Sequence, residues 1–466
     1  MPAIPLMIGG TTSHAGKSWM TTAICRHLRQ RAFRVAPFKA QNMSNNSFPC
    51  LGGGEIGRAQ VAQSEACGLE PHPDFNPILL KPTSDMGSQV VLHGQVWQNL
   101  RAREYYTHFD YLFGEVLKAY ERRAARFDYV VIEGAGSIAE LNLKSRDLVN
   151  LNLARAVGAP ALLVSDIDRG GIFASIIGTI GLLEPWERDL VRAFAVNRFR
   201  GDASLFEDGV PILEQRSGKP CLGVFPYLKE FTIDEEDGVS IEERAATESD
   251  VAIIKLPRIS NLTDFRLMPE AAWITRPVNR QFATIILPGT KSTLPDLAWL
   301  RGQGLDPWIL EQHRGGARVI GICGGYQMLG KTIADPLRAD SEIEFGEGLG
   351  LLPVDTMMAA EKTTRTVRAV SASGLEFDSY EIHMGESVSR CAPFATIEGR
   401  AEGACQRNVI GTYLHGALED RELLSELLDR PVAGMPTKDE AYDGLAWWFG
   451  QHANLELFEE QFLCAR

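Results

Sequence analysis

The sequence predicts an α/β protein made of two parallel-sheet domains. Three observations carry this: a length of 466 residues exceeds one ordinary core, short apolar runs alternate with stretches of helical spacing, and an acidic stretch near the middle divides the runs into two sets. Hydrophobic residues at 45% and charged residues at 23% are the balance of a globular chain, which excludes disorder as its main state.

In the first set the apolar runs are 6–8, 34–38, 129–132, 161–165, 194–197 and 222–225. Most stop at a polar or glycine-rich turn, where parallel sheets bind ligands. Residues 230–249 are dense in acids and poor in large apolar groups, and read as a solvated linker. Runs resume at 251–256, 284–287, 319–322, 380–383 and 409–414. The expected organisation is therefore a first domain over 1–229, the linker, a second domain over 250–440, and a helical C-terminal extension over 441–466.

A net charge of −13 provides no positive field for nucleic acid or an anionic membrane, and no uncharged apolar run is long enough to span a bilayer. The first 18 residues lack a basic region ahead of their apolar stretch, so secretion is not expected. Eight cysteines are scattered without a CxxC pair, which fits reduced cytoplasmic thiols and not a zinc site. Small molecules are the expected partners, and a homo-oligomer is compatible with all of this.

Gly10-Thr11-Thr12-Ser13-His14-Ala15-Gly16-Lys17-Ser18 follows the first strand and runs into a helix. Strand, glycine loop, helix is the setting of a P-loop: backbone N–H groups converge on the phosphates of ATP, Lys17 adds a point charge, and Ser18 can ligate Mg2+. The spacing between the glycines is one residue longer than the general P-loop pattern and resembles that of dethiobiotin-synthetase-like ATPases. Two acids are candidates to complete the magnesium site: Glu133, directly after the buried-looking run 129–132, and Glu55, in a glycine-rich loop where an ordinary surface acid is an equal reading. Asn197 ends another strand; it can read an adenine edge or simply form a turn.

In the second domain, Gly321-Ile322-Cys323-Gly324-Gly325 puts a thiol at a sharp strand-to-helix turn, the arrangement of a nucleophile elbow. The N–H of Gly324 points toward a developing oxyanion, and the loop at Gly289 can supply a second backbone donor. The thiol needs a base. His415, ending its strand at a glycine turn, is preferred to His383.

Together these residues resemble the cobyric acid synthases, over nearly the whole chain. The most specific stretches are 37–47 (PFKAQNMSNNS), 54–60 (GEIGRAQ), 76–85 (NPILLKPTSD) with 87–91, and 166–171 with 173–175. The resemblance implies a dethiobiotin-synthetase-like ATPase domain followed by a flavodoxin-like glutamine amidotransferase domain. It implies that ATP and Mg2+ activate four side-chain carboxylates of a corrinoid substrate as acyl phosphates, and that ammonia released from L-glutamine at Cys323 displaces phosphate. Lys39 and Asp147 become candidates for handling that substrate, although Asp147 also reads as an ordinary helix-start acid. Triad glutaminases carry His-Pro-Glu, whereas His415-Gly416-Ala417 has no acid two positions on, a lack that cobyric acid synthases share. A less firmly held imidazole, and weak glutaminase activity without bound substrate, are expected from that difference. The rivals are the a,c-diamide synthase, which shares this architecture, and a partitioning-type switch ATPase, which has no use for Cys323 and His415.

Overall fold

Six of the predicted runs assemble side by side. In the computed structural model, which describes residues 2–50, 53–82, 87–228 and 248–464, they become β1 (Ile4–Gly10), β2 (Val35–Phe38), β3 (Tyr129–Glu133), β4 (Ala161–Asp166), β5 (Val191–Phe199) and β6 (Cys221–Pro226). Their order is β6-β5-β4-β1-β3-β2, and every pairing is parallel. Val130, Val131, Ile132, Leu162, Leu163 and Val164 are fully buried, as strands covered on both faces must be. After β3 the chain crosses to the far side of β1, so the carboxyl end of β1 borders the switch point at which open parallel sheets bind ligands. Helix α1 (Lys17–Gln30) leaves from that end, burying Met20, Ala23, Ile24 and Leu28.

The segment between β2 and β3 holds helix α2 (Arg58–Ala66) and a four-stranded sheet of Gln41–Met43, Ile78–Pro82, Gly87–Leu92 and Gln95–Arg101. These strands were not among the predicted runs. Their polar residues hide the apolar alternation, and Gln95–Arg101 is largely exposed.

In the second domain β7 (Val251–Ile254), β8 (Ala272–Ile274), β9 (Thr284–Leu287) and β10 (Arg318–Ile322) lead to helix α3 (Gly324–Leu329) and a long antiparallel hairpin of β11 (Val354–Ser371) and β12 (Glu376–Ser389). Then come β13 (Ala404–Gln406) and β14 (Val409–Thr412). The sheet order β8-β7-β9-β10-β14-β13, parallel except for the edge strand β13, is the flavodoxin-like winding that the resemblance implies. The run 380–383 lies in β12, paired antiparallel with β11, and so belongs to a separate sheet. Residues 83–86, of which 83–85 end one family-like stretch, and 229–247, nearly all of the expected linker, lie outside the described residues.

The C-terminal extension begins at helix α4 (Lys438–His452), entered through a capping box of Thr437 and Glu440. It returns to the first domain. Arg26 of α1 bonds Asp443 at 2.7 Å and Asp439 at 3.0 Å. Phe225 of β6 meets the rings of Trp448 and Phe449, and Trp448 Nε1 donates to the Pro226 carbonyl. Apolar burial of this kind is the dominant stabilising term, so α4 is part of the first domain's core.

Candidate active site

The glycine loop wraps the carboxyl end of β1. Lys17 Nζ donates to the carbonyls of Thr12 (3.0 Å) and Gly136 (3.1 Å), drawing its stem back along the loop past Gly10. Thr11 shares a hydrogen bond with Ser165 at 2.9 Å. Gly16 has φ 93°, and a Cβ there would stand 2.0 Å from Asn197 Nδ2, so the position admits only glycine. That same Asn197 amide donates to the Ala15 carbonyl at 3.0 Å, so the residue braces the loop from behind.

Ser18 Oγ donates to Glu133 Oε1 at 2.8 Å, bringing together two of the predicted magnesium ligands. Lys39 Nζ binds the same oxygen at 2.9 Å, and Gln63 Nε2 donates to Oε2. Burial pushes the Glu133 carboxyl up, but the Lys39 charge and these hydrogen bonds outweigh it and hold the group ionised below its ordinary range. Asp147 caps the turn ahead of Leu151, accepting the N–H groups of Val149 (2.9 Å) and Asn150 (3.0 Å), while Asn150 grips Ala135 in the loop after Glu133. Asp147 therefore stands behind the loop as a turn-former.

Glu55 does not join this group. Its carboxylate is taken by Lys81 (2.7 Å), Ser47 (2.7 Å) and Lys362 of the second domain (2.6 Å). Two ammonium groups neutralise it where a magnesium ion was expected, and they hold its pKa well below the ordinary value against the effect of burial. Sequence alone gave Glu55 no partners, because Lys81 and Lys362 come from distant strands.

At the elbow, Cys323 has φ 51° and its N–H donates to the Thr412 carbonyl at 2.7 Å. A Cβ on Gly325 would sit 2.0 Å from the Leu287 carbonyl oxygen, which is why the turn is so tight and the helix starts so close to β9. Gly324 abuts Thr290, and Gly289 abuts the His415 ring, so both predicted backbone donors stand beside the thiol and its base. His415 is 1% exposed, and its Nε2 has no hydrogen-bond partner among the described residues.

The acid expected to be missing is present. Asp264, in the short turn Leu262–Phe265, lies 2.7 Å from His415 Nδ1 through Oδ2 and accepts the Gly416 N–H through Oδ1 at 2.6 Å. Burial lowers the imidazole's proton affinity, but the Asp264 charge and hydrogen bond, with Cys323 adding to them, raise its pKa to about 10. The imidazole is firmly held, which corrects the expectation of a loose one. Asp264 was missed because it lies 151 residues from His415; its signal was a polar loop following the carboxyl end of β7. His383, the rival base, spends Nδ1 on the Gly385 carbonyl at 2.8 Å and stacks on Tyr413.

A cavity of about 50 Å³ lies beside Cys323, several times the roughly 10–15 Å³ that one water needs. The first domain lines it with Asn45, Ser47 and Lys81, and the second with Lys291, Asp340 and Lys362.

A phosphate-binding loop joined to a cysteine elbow with a histidine and an acid defines a nucleotide-dependent glutamine amidotransferase. Residues 6–241 match the family described as the CobQ/CobB/MinD/ParA nucleotide binding domain, and residues 250–423 the CobB/CobQ-like glutamine amidotransferase domain. Curated relatives named cobyric acid synthase include those of Dehalococcoides mccartyi (43% identical, covering 95% of this chain and 94% of the relative) and Parabacteroides distasonis (43%, 97% of each). That of Sorangium cellulosum is 44% identical over 96% of each. The chain belongs to the cobyric acid synthase family and is a glutamine-dependent ligase. Among the described residues no helix is long and apolar enough to cross a membrane.

Proposed function

We propose that this chain converts the b, d, e and g side-chain carboxylates of adenosylcobyrinic acid a,c-diamide to amides, with ATP and glutamine, in the cytoplasm. The observation that carries the reading is one chain holding both a Ser18–Glu133 pair at a phosphate loop and a buried Cys323–His415–Asp264 triad. A corrinoid carboxylate oxygen attacks the γ-phosphorus of ATP, giving an acyl phosphate and ADP. Gly10, Thr11, Thr12, Gly16 and Lys17 cradle the phosphates, and Asn197 holds the loop in shape.

Magnesium fits this site, since a hydroxyl and one ionised carboxylate, completed by phosphate oxygens and water, are the ligands it favours. Ser18 and Glu133 would hold it, and it would neutralise charge on the phosphates.

In the second domain Cys323 sulfur attacks the side-chain carbonyl of glutamine, and the oxyanion meets the N–H groups at Gly324 and Gly289. His415 takes the thiol proton at Nε2 and passes it to the departing nitrogen, while Asp264 keeps the other ring nitrogen protonated. Ammonia leaves, water hydrolyses the thioester to glutamate, and ammonia displaces phosphate from the acyl phosphate to form the amide.

Mass spectrometry of the a,c-diamide substrate incubated with enzyme, Mg-ATP and amide-¹⁵N glutamine tests this. Successive labelled amidations are expected, with Cys323→Ala active only on added ammonia. No mass change with either nitrogen source, from folded protein that binds ATP, would refute the corrinoid assignment.

A further inference from the structure

Three lysines and one carboxylate, Asp340, are among the described residues that line the cavity beside Cys323. Lys81 and Lys362 are both committed to Glu55, at 2.7 and 2.6 Å. Lys291 is not: among the described residues its ammonium makes no hydrogen bond and no ion pair, and it feels the charges of Asp340 and Glu55 without touching either. Burial, and after it the like charge of Lys362, holds this ammonium below the ordinary lysine range. Its backbone is fixed, the Lys291 N–H donating to the Arg258 carbonyl at 2.9 Å, one residue after the Thr290 that abuts Gly324.

Asp340 is half satisfied. Its Oδ2 accepts the Thr293 N–H at 2.7 Å, at the start of the helix Thr293–Gly302, while Oδ1 accepts no hydrogen bond among the described residues. Burial pushes this carboxyl up to about 6, although Lys291 and the Thr293 N–H pull the other way. The loop presenting it is pinned, because Asp335 accepts the N–H groups of Ala339 (2.7 Å), Asp340 (2.9 Å) and Ser341 (3.1 Å). An ammonium and a carboxylate that are both drawn out of water, line one cavity and do not meet are the complement of a zwitterion.

We infer that Asp340 receives the α-ammonium of glutamine and Lys291 its α-carboxylate, so that the two select a free α-amino acid over other primary amides. Only a short flexible chain separates these charges from the carbonyl carbon that Cys323 attacks. Selection of this kind has a use in the reaction proposed above, which itself makes primary amides: a thiol that accepted any amide would undo the product. The inference rests on the reading of Cys323 as the thiol that attacks glutamine, and its test separates the two.

The probes are glutaramate, which is glutamine without the α-ammonium, and 4-aminobutanamide, which is glutamine without the α-carboxylate. Affinities for glutamine and both probes are measured by calorimetry on full-length Cys323→Ala, and kcat/KM for ammonia release on the chain with Cys323 intact. Glutamine should exceed each probe about 100-fold in both readouts, since a site built around buried polar partners rejects a ligand that leaves one unpaired. Asp340→Asn, whose amide oxygen can still accept from Thr293, should cut the preference over glutaramate below about fivefold and keep the preference over 4-aminobutanamide. Lys291→Met, which keeps the aliphatic stem, should do the reverse, and it carries the test should Asp340→Asn misfold. Each ratio is internal to one preparation, so a merely structural role, which weakens all three ligands alike, leaves both ratios unmoved. Failure of glutamine to bind, equal affinities for glutamine and the probes, or ratios that neither substitution changes would overturn the inference. Glutamine that binds Cys323→Ala with the expected pattern, yet is not hydrolysed when Cys323 is present, would sustain it and refute the role of Cys323 instead.

Discussion

Replacing Asp264 with Asn should disable glutamine hydrolysis while leaving the fold nearly unchanged. The size of the effect follows from how the carboxylate is held. Oδ1 accepts the Gly416 N–H at 2.6 Å, so an asparagine at 264 would keep its carbonyl oxygen there and turn its amide N–H₂ toward His415 Nδ1. A donor facing Nδ1 forces that nitrogen to accept, and the ring proton moves to Nε2, the atom that must take the thiol proton. The same exchange costs roughly 10⁴-fold in serine triads. A thiol depends less on its base than a hydroxyl does, so a loss of roughly 10²–10³ is expected here, about 3–4 kcal/mol of transition-state stabilisation. The assay is glutamate release at saturating glutamine, with ammonia-dependent amidation as the control. If D264N hydrolyses glutamine within about threefold of the wild type, the acid does not set the tautomer and the reasoning fails.

The Asp264–His415 pair also predicts a pH signature. His415 is raised from 6.5 to about 10 in the fold, so its stabilising contribution is complete below pH 6.5 and is lost as pH rises through about 10. The difference in melting midpoint between wild type and D264N should therefore narrow across that window, and a difference that stays flat or widens would contradict the pairing. Gly16→Ala should weaken ATP binding by at least about tenfold, since left-handed strain of about 1–2 kcal/mol is joined by a collision with Asn197. Gly158→Ala, at φ 71° with open space around it, carries similar strain away from the loop and should leave ATP affinity unchanged by calorimetry.

What sequence made legible was whatever packs on both faces or bends sharply. Val130 through Ile132 and Leu162 through Val164 are unbroken apolar runs because neighbours cover both sides of each strand, and such runs mark a parallel sheet without any alignment. Gly16 and Gly325, beside Cys323, were equally readable, since collisions at 2.0 Å leave no other residue type. Asp264 was not, because local spacing rules say nothing about a hydrogen bond closed across 151 residues. Glu55 shows the opposite failure: a carboxylate in a glycine loop looks the same in sequence whether it meets a metal ion or two lysine side chains. Of the β11–β12 hairpin only 380–383 stood out, for a third reason: its polar, half-exposed strands elsewhere alternate too weakly to be told from loop.

The return of α4 to the first domain has a topological consequence. The amidotransferase domain is in effect an insert, entered between residues 228 and 248 and left between Leu428 and Lys438, with the chain anchored in the first domain on either side. Cutting the polypeptide at the first crossing would not liberate it. The second crossing would still hold the pieces at high effective concentration, unless α4 were peeled from α1 and Phe225 stripped of its aromatic neighbours. Relative movement of the two halves has to respect both crossings as well as the Lys362–Glu55 and Arg58–Glu419 pairs that bridge them.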